Sequence, residues 1–121
     1  MGGKTLPKKV LVVEDEFLVS MMITDMLTDL GHDVIGTAAD LASAVRKSSS
    51  LPVDFAVLDV NLNGELSYPA ADALVARGIP FLFATGYSSK GVQNRYNGVP
   101  KLQKPFDIKA LERAVLDLAI K

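Results

Sequence analysis

The stretch Asp54-Phe55-Ala56-Val57-Leu58-Asp59-Val60-Asn61-Leu62-Asn63-Gly64 decides the reading of this chain. An apolar run delivers one carboxylate, Asp59, and a turn-rich segment follows at once. The run is too short for a buried helix and is bounded by Pro52 and Gly64, which predicts a buried strand. Buried parallel strands present their functional groups at their carboxyl ends, so Asp59 becomes the candidate working group.

The flanking sequence repeats the theme. Residues 9–13 (Lys-Val-Leu-Val-Val) form a β-branched run that ends in three acids, Glu14-Asp15-Glu16. Val19, Ile23, Met26, Leu27 and Leu30 then recur at helical spacing, predicting a helix over 17–30 with Gly31 as its C-cap. In this reading Met21, Met22 and Met26 fill the core. A second strand is expected over 33–37, followed by a helix capped by Asp40 and stopped by Ser48-Ser49-Ser50 and Pro52. After the third strand, residues 61–64 read as a turn. A short helix over 69–77 is closed by Gly78. A fourth strand covers 79–84, and a weakly patterned segment covers 86–98. A fifth strand over 99–103 precedes an amphipathic helix capped by Asp107.

Strand and helix therefore alternate five times, predicting an α/β fold with a doubly wound parallel sheet and right-handed crossovers. The expected strand order is 2-1-3-4-5, the flavodoxin-like arrangement. The 121 residues suit one domain, placed at 8–121 behind a disordered arm at 1–7.

Composition removes several classes of function. A net charge of −1 gives no global basic field for nucleic acid. With no cysteine, thiolate catalysis, disulfides and Cys-type zinc sites are excluded, in keeping with a cytoplasmic protein. No apolar run has membrane-spanning length, and the N-terminus lacks a signal-peptide core. The Met1-Gly2-Gly3 start has Leu6 where a myristoylation site wants Ser or Thr. His32, in the turn between Gly31 and Asp33, is assigned a structural role, and no second histidine exists to build a metal or phosphotransfer centre with it.

The strand ends carry the chemistry: Glu14 and Asp15, Asp59, Thr85, and Lys104. In a parallel sheet these ends share one edge, and the 2-1-3 order brings Glu14, Asp15 and Asp59 together. Converging like charges raise each other's proton affinity unless a cation sits among them. Hard oxygen ligands suit Mg²⁺, with the Asn61 backbone carbonyl as a further ligand. Thr85 offers a hydroxyl, and Lys104 a point charge across from the metal, for a bound phosphoryl group. An aspartate is itself a competent phosphoryl acceptor.

These residues resemble the response-regulator receiver domain of two-component signalling. The matching pieces are Val12-Val13-Glu14-Asp15, Val57-Leu58-Asp59, Ala84-Thr85 and Lys104-Pro105-Phe106, in order across nearly the whole chain. The resemblance implies Asp59 as phosphoacceptor and Mg²⁺ on Glu14, Asp15, Asp59 and the Asn61 carbonyl. It also implies phosphoryl contacts from Thr85 and Lys104 and a cis Lys104–Pro105 peptide. Pro80-Phe81-Leu82-Phe83-Ala84-Thr85-Gly86-Tyr87, with Asn61 to Glu65 and Ser67-Tyr68-Pro69, is similar to the FATGUY subfamily of alphaproteobacteria. Its members are often single-domain receivers served by histidine kinases of the HWE or a related type, and often linked to stress responses.

One position departs from the family pattern. Receivers usually carry an aromatic three residues before the strand-five lysine, and here that residue is Lys101. Tyr87 is the nearest aromatic to Thr85 that can substitute, and the segment 86–98 is the expected responder to phosphate at Thr85. The implied function is a stand-alone phosphorylation switch. It takes its phosphoryl group from a histidine kinase or phosphotransfer protein and acts through a downstream protein or as a phosphate relay or sink. It has its own phosphotransfer and autodephosphorylation activity and no nucleic-acid or membrane partner. The competing reading is a Mg²⁺-dependent phosphatase with an aspartate nucleophile, but Asn61 stands where such enzymes place a second acid.

Overall fold

The protein is described by a computed structural model over residues 6–86, 92 and 94–118. Its elements run β1 (Lys9–Val13), α1 (Phe17–Asp29), β2 (Asp33–Ala38), α2 (Leu41–Ser50) and β3 (Phe55–Leu58). There follow β4 (Asn61–Leu62), β5 (Glu65–Leu66), α3 (Tyr68–Ala76), β6 (Phe81–Thr85), a 3-10 turn at Asn94–Tyr96, β7 (Lys101–Gln103) and α4 (Ile108–Leu116).

Five strands form one sheet in the order β2-β1-β3-β6-β7, and every pairing is parallel. This is the expected doubly wound order; only the numbering shifts, because β4 and β5 form a separate antiparallel hairpin. Successive side chains of a strand point to opposite faces, and each face has its own core. Val10, Val12, Phe55, Val57, Leu82 and Ala84 meet α1 and α4 through Ile23, Leu27, Leu111, Ala114 and Val115. On the other face Leu11, Val13, Ala56, Leu58, Phe81 and Phe83 meet Ala44 of α2 and Tyr68, Ala71 and Leu74 of α3. All four residues of β3 are buried, as its unbroken apolar run requires.

The expected caps form. The Asp40 side chain accepts from the Ser43 amide, and that of Asp107 accepts from the Ala110 amide, both at 2.8 Å. The three serines do not stop α2 early. Ser49 and Ser50 turn their hydroxyls onto the carbonyls of Val45 and Arg46, so the helix runs to Ser50.

Two expectations are corrected. Met21 and Met22 are exposed, at 46% and 53%, and only Met26 packs against the core. Residues 61–64 are more than a turn, since they open the β4–β5 hairpin with Asn63-Gly64 at its tip. His32 is structural, as expected. It is buried, its Nδ1 accepts the Lys8 amide at 3.2 Å, and its ring meets Phe55 edge-on at 5.4 Å. Residues 87–91 and 93 of the weakly patterned segment, including Tyr87, lie outside the described residues, as do residues 1–5 of the expected arm.

Candidate functional site

The parallel register sets the site before any side chain is considered. Val13 pairs with Leu58, so the residues that follow them, Glu14 and Asp59, emerge side by side. Backbone bonds continue past the strand ends: the Asp59 amide donates to the Val13 carbonyl at 2.8 Å, and the Lys104 amide to the Thr85 carbonyl at 2.8 Å. Four strands, β1, β3, β6 and β7, thereby deliver Glu14, Asp15, Asp59, Thr85 and Lys104 to one edge of the sheet.

Glu14, Asp15 and Asp59 each place a carboxylate oxygen within 4.8 Å of the others. Glu14 is 2% exposed and Asp59 8%. Burial raises the Glu14 carboxyl to about 7 against the opposing pull of its bond to Lys104, and the neighbouring Asp15 and Asp59 push the same way as burial. The Lys104 ammonium donates to the Glu14 carboxylate and, at 3.0 Å, to Asp59 Oδ2. Burial disfavours its charge, but these two acidic partners outweigh it and raise its proton affinity. Lys104 thus bridges two of the three acids.

Three backbone amides orient the carboxylates from the other side. The Glu16 amide donates to Glu14 Oε1 at 3.1 Å, the Asn61 amide to Asp59 Oδ1 at 3.2 Å, and the Asn63 amide to Asp15 Oδ2 at 3.0 Å. Sequence reasoning assigned no part to Asn63, although Asn-Gly is a strong hairpin signal that points to a shaped turn at this place. Hard oxygen donors on a buried acidic cluster fit a divalent cation such as Mg²⁺.

Thr85 ends β6 on the face that also carries Phe81 and Phe83, and it is 1% exposed. Behind it lies an aromatic cluster. Tyr96 stacks on Tyr68 at 5.1 Å and meets Phe83 edge-on at 5.4 Å. The Tyr96 hydroxyl donates to the Asp72 carboxylate, while the Arg95 guanidinium pairs with Asp72 at 3.3 Å and lies 4.9 Å over the Tyr96 ring. Burial and the Asp72 bond raise the Tyr96 hydroxyl above its usual range. Lys101 neither faces solvent freely nor enters this cluster. Its ammonium donates to the carbonyls of Tyr96 at 2.7 Å and Val99 at 2.8 Å, pinning the chain between the 3-10 turn and β7. The Lys104–Pro105 peptide that follows the site lysine is cis.

Comparison with known proteins agrees with this arrangement. The solution structure of SdrG from Sphingomonas melonis Fr1 is 42% identical, with a TM-score of 0.83, and the match covers 93% of this chain and 97% of that one. A solution structure of the BeF3-activated conformation of SdrG from Pseudomonas melonis Fr1 is 41% identical, with a TM-score of 0.78, covering 97% and 98%. The transcriptional regulatory protein PdtaR of Mycobacterium tuberculosis is 29% identical over 119 residues, which is 95% of this chain and 58% of PdtaR. The chain thus spans little more than half the length of that curated relative. The family model for the response regulator receiver domain matches residues 10–116, and the chain belongs to that family of two-component signalling domains.

Proposed function

We propose that Asp59 is the phosphoacceptor of a stand-alone receiver, loaded from the phosphohistidine of a histidine kinase, of the HWE type, or of a phosphotransfer protein. The observation that carries this is the convergence of Glu14, Asp15 and Asp59 within 4.8 Å, with Lys104 reaching two of them. An Asp59 carboxylate oxygen attacks phosphorus as the bond to the imidazole nitrogen breaks. The electron pair leaves with the imidazole, which regains its proton from solvent. Glu14, Asp15, Asp59 and the Asn61 carbonyl would hold Mg²⁺, which when bound would neutralise charge on the phosphoryl oxygens. Lys104 and Thr85 contribute an ammonium and a hydroxyl to the same oxygens. Water attack on the acyl phosphate returns the domain to its resting state.

The donor protein has a surface to meet. Val19, Met22, Ile23, Met26, Pro105 and Phe106 line an apolar groove that shares Lys104 with the acidic site. Phe17, Leu18 and Met21 of α1 are also exposed. Apolar surface continuous with a reactive site is what a partner bringing a phosphoryl group to Asp59 would cover. The BeF3-activated SdrG structure supports the switch reading, because that relative has an activated conformation to compare. The same reading includes membership of the FATGUY subfamily, a cytoplasmic setting, a stress-linked pathway and a downstream protein partner. Among the described residues no helix is long and apolar enough to cross a membrane.

The test is incubation with Mg²⁺ and a small acyl-phosphate donor, followed by intact mass. A phosphoryl adduct in the wild-type protein and none in Asp59→Asn is the expected result. Turnover of the donor without an adduct would favour a phosphatase, and neither adduct nor turnover would leave Asp59 without this role.

A further inference from the structure

We infer that the β4–β5 hairpin positions the metal-binding carboxylates, with Asn63 and Gly64 as its positioning residues; this rests on the metal reading above. Asp15 lies beyond the end of β1, outside any helix or strand, and is only partly buried. A carboxylate so placed has several rotamers open to it, and the neighbouring Glu14 and Asp59 repel it. The Asn63 amide reaches it at 3.0 Å from 48 residues away in the chain.

That amide points at Asp15 because the turn has an unusual backbone. Asn63 has φ of 53° and Gly64 of 93°, both in the left-handed region. This is the requirement of a two-residue hairpin turn of the primed type, which Asn-Gly satisfies with little strain. Asn61 Oδ1 accepts the Gly64 amide at 2.6 Å and braces the turn from within. The base of the hairpin is fixed by Leu62, 2% exposed, and by the Ser67 amide on the Val60 carbonyl at 2.8 Å.

The same hairpin holds a second carboxylate. The Asn61 amide donates to Asp59 Oδ1 at 3.2 Å. One small element therefore grips two acids that follow different strands, and it sets their spacing before an ion arrives. Partners of this kind, one bond removed from the ion, typically govern metal affinity by 10- to 100-fold. A side chain at Gly64 would meet nothing within 4 Å, so substitution there tests backbone conformation rather than packing.

The experiment is Mn²⁺ binding to the full chain by water-proton relaxation, with far-UV circular dichroism to confirm folding. Asn63→Val and Gly64→Val, which disfavour positive φ, are expected to weaken Mn²⁺ by about tenfold or more. Asn63→Gly retains both the amide and the conformation, and it is expected to stay within about twofold of wild type. Asn61→Ala keeps the main-chain carbonyl and removes the brace. It should weaken binding measurably and serves as the readout if a valine variant fails to fold. Folded variants that match the wild-type affinity would overturn the positioning role alone. A wild-type chain that binds no Mn²⁺ would overturn the metal reading and this inference together.

Discussion

Replacing Lys104 by Met should destabilise the metal-free protein by an amount that grows with pH. The side chain of Glu14 is fully buried, that of Asp59 is 10% exposed, and Lys104 is the cation bonded to both. Removing one partner of a buried ion pair costs about 3–5 kcal/mol when the remaining charge stays ionised. Glu14 has an escape, since burial already raises its carboxyl from 4.5 to about 7 and the Lys104 bond is the main influence opposing that rise. The sign follows from linkage. An acid whose folded value lies above its unfolded value contributes stability below the unfolded value, and that stability is lost as pH rises through the folded one. In the wild-type protein this loss ends near pH 7. In Lys104→Met the folded value rises further, so the loss continues, at about 1.4 kcal/mol per pH unit at most. Between pH 7 and pH 8.5 the gap to wild type should widen by up to about 2 kcal/mol, and at pH 6 it should be smallest. Urea unfolding followed by circular dichroism, with EDTA present, measures both ends. An equal gap at pH 6 and pH 8.5 would refute the view that Lys104 is the counter-ion of an easily protonated Glu14.

Three further outcomes are expected. Burial lowers the His32 proton affinity below 6.5. The neutral ring is therefore favoured in the fold, and stability should fall as pH drops below about 6.5; thermal melts of wild type and His32→Phe should converge in their pH dependence above that value and diverge below it. Asp107→Ala removes the bond from the Ala110 amide and should cost about 1 kcal/mol in urea unfolding, with Asp107→Asn close to neutral. Tyr96→Ala empties a buried slot against Tyr68 and Phe83 and should cost about 3–5 kcal/mol, whereas Tyr96→Phe loses the hydroxyl's bonds to Asp72 and the Tyr68 carbonyl and should cost about 1–2 kcal/mol.

The architecture was legible in the sequence because burial leaves a simple mark. A strand covered on both faces must be apolar throughout, and residues 55–58 and 10–13 are. The acids, Thr85 and Lys104 were legible for the complementary reason: each interrupts such a run where the strand leaves the core. The caps at Asp40 and Asp107 were read correctly because a cap is a local bond between residues three apart.

The convergence of Glu14, Asp15 and Asp59 was legible from strand order, but several individual side-chain contacts across the fold were not. α1 is apolar on more than one side, so helical spacing alone could not say that Met21 and Met22 face outward while Ile23 and Leu27 face the sheet. Lys101 carries no sequence signal for the two carbonyls it binds, since they lie at the end of the 3-10 turn and just beyond it, where the path of the chain depends on Tyr96 packing against α3.

The sequence by itself determined the alternation of elements, the parallel sheet and the identity of the residues at its edge, because burial and local backbone chemistry act on neighbours in the chain. That Lys104 bridges Glu14 and Asp59, and that the Asn63 amide reaches Asp15, follows from the tertiary structure alone. Those contacts join residues 90, 45 and 48 positions apart, and their geometry exists only after the strands are in register and the hairpin has folded over the sheet edge.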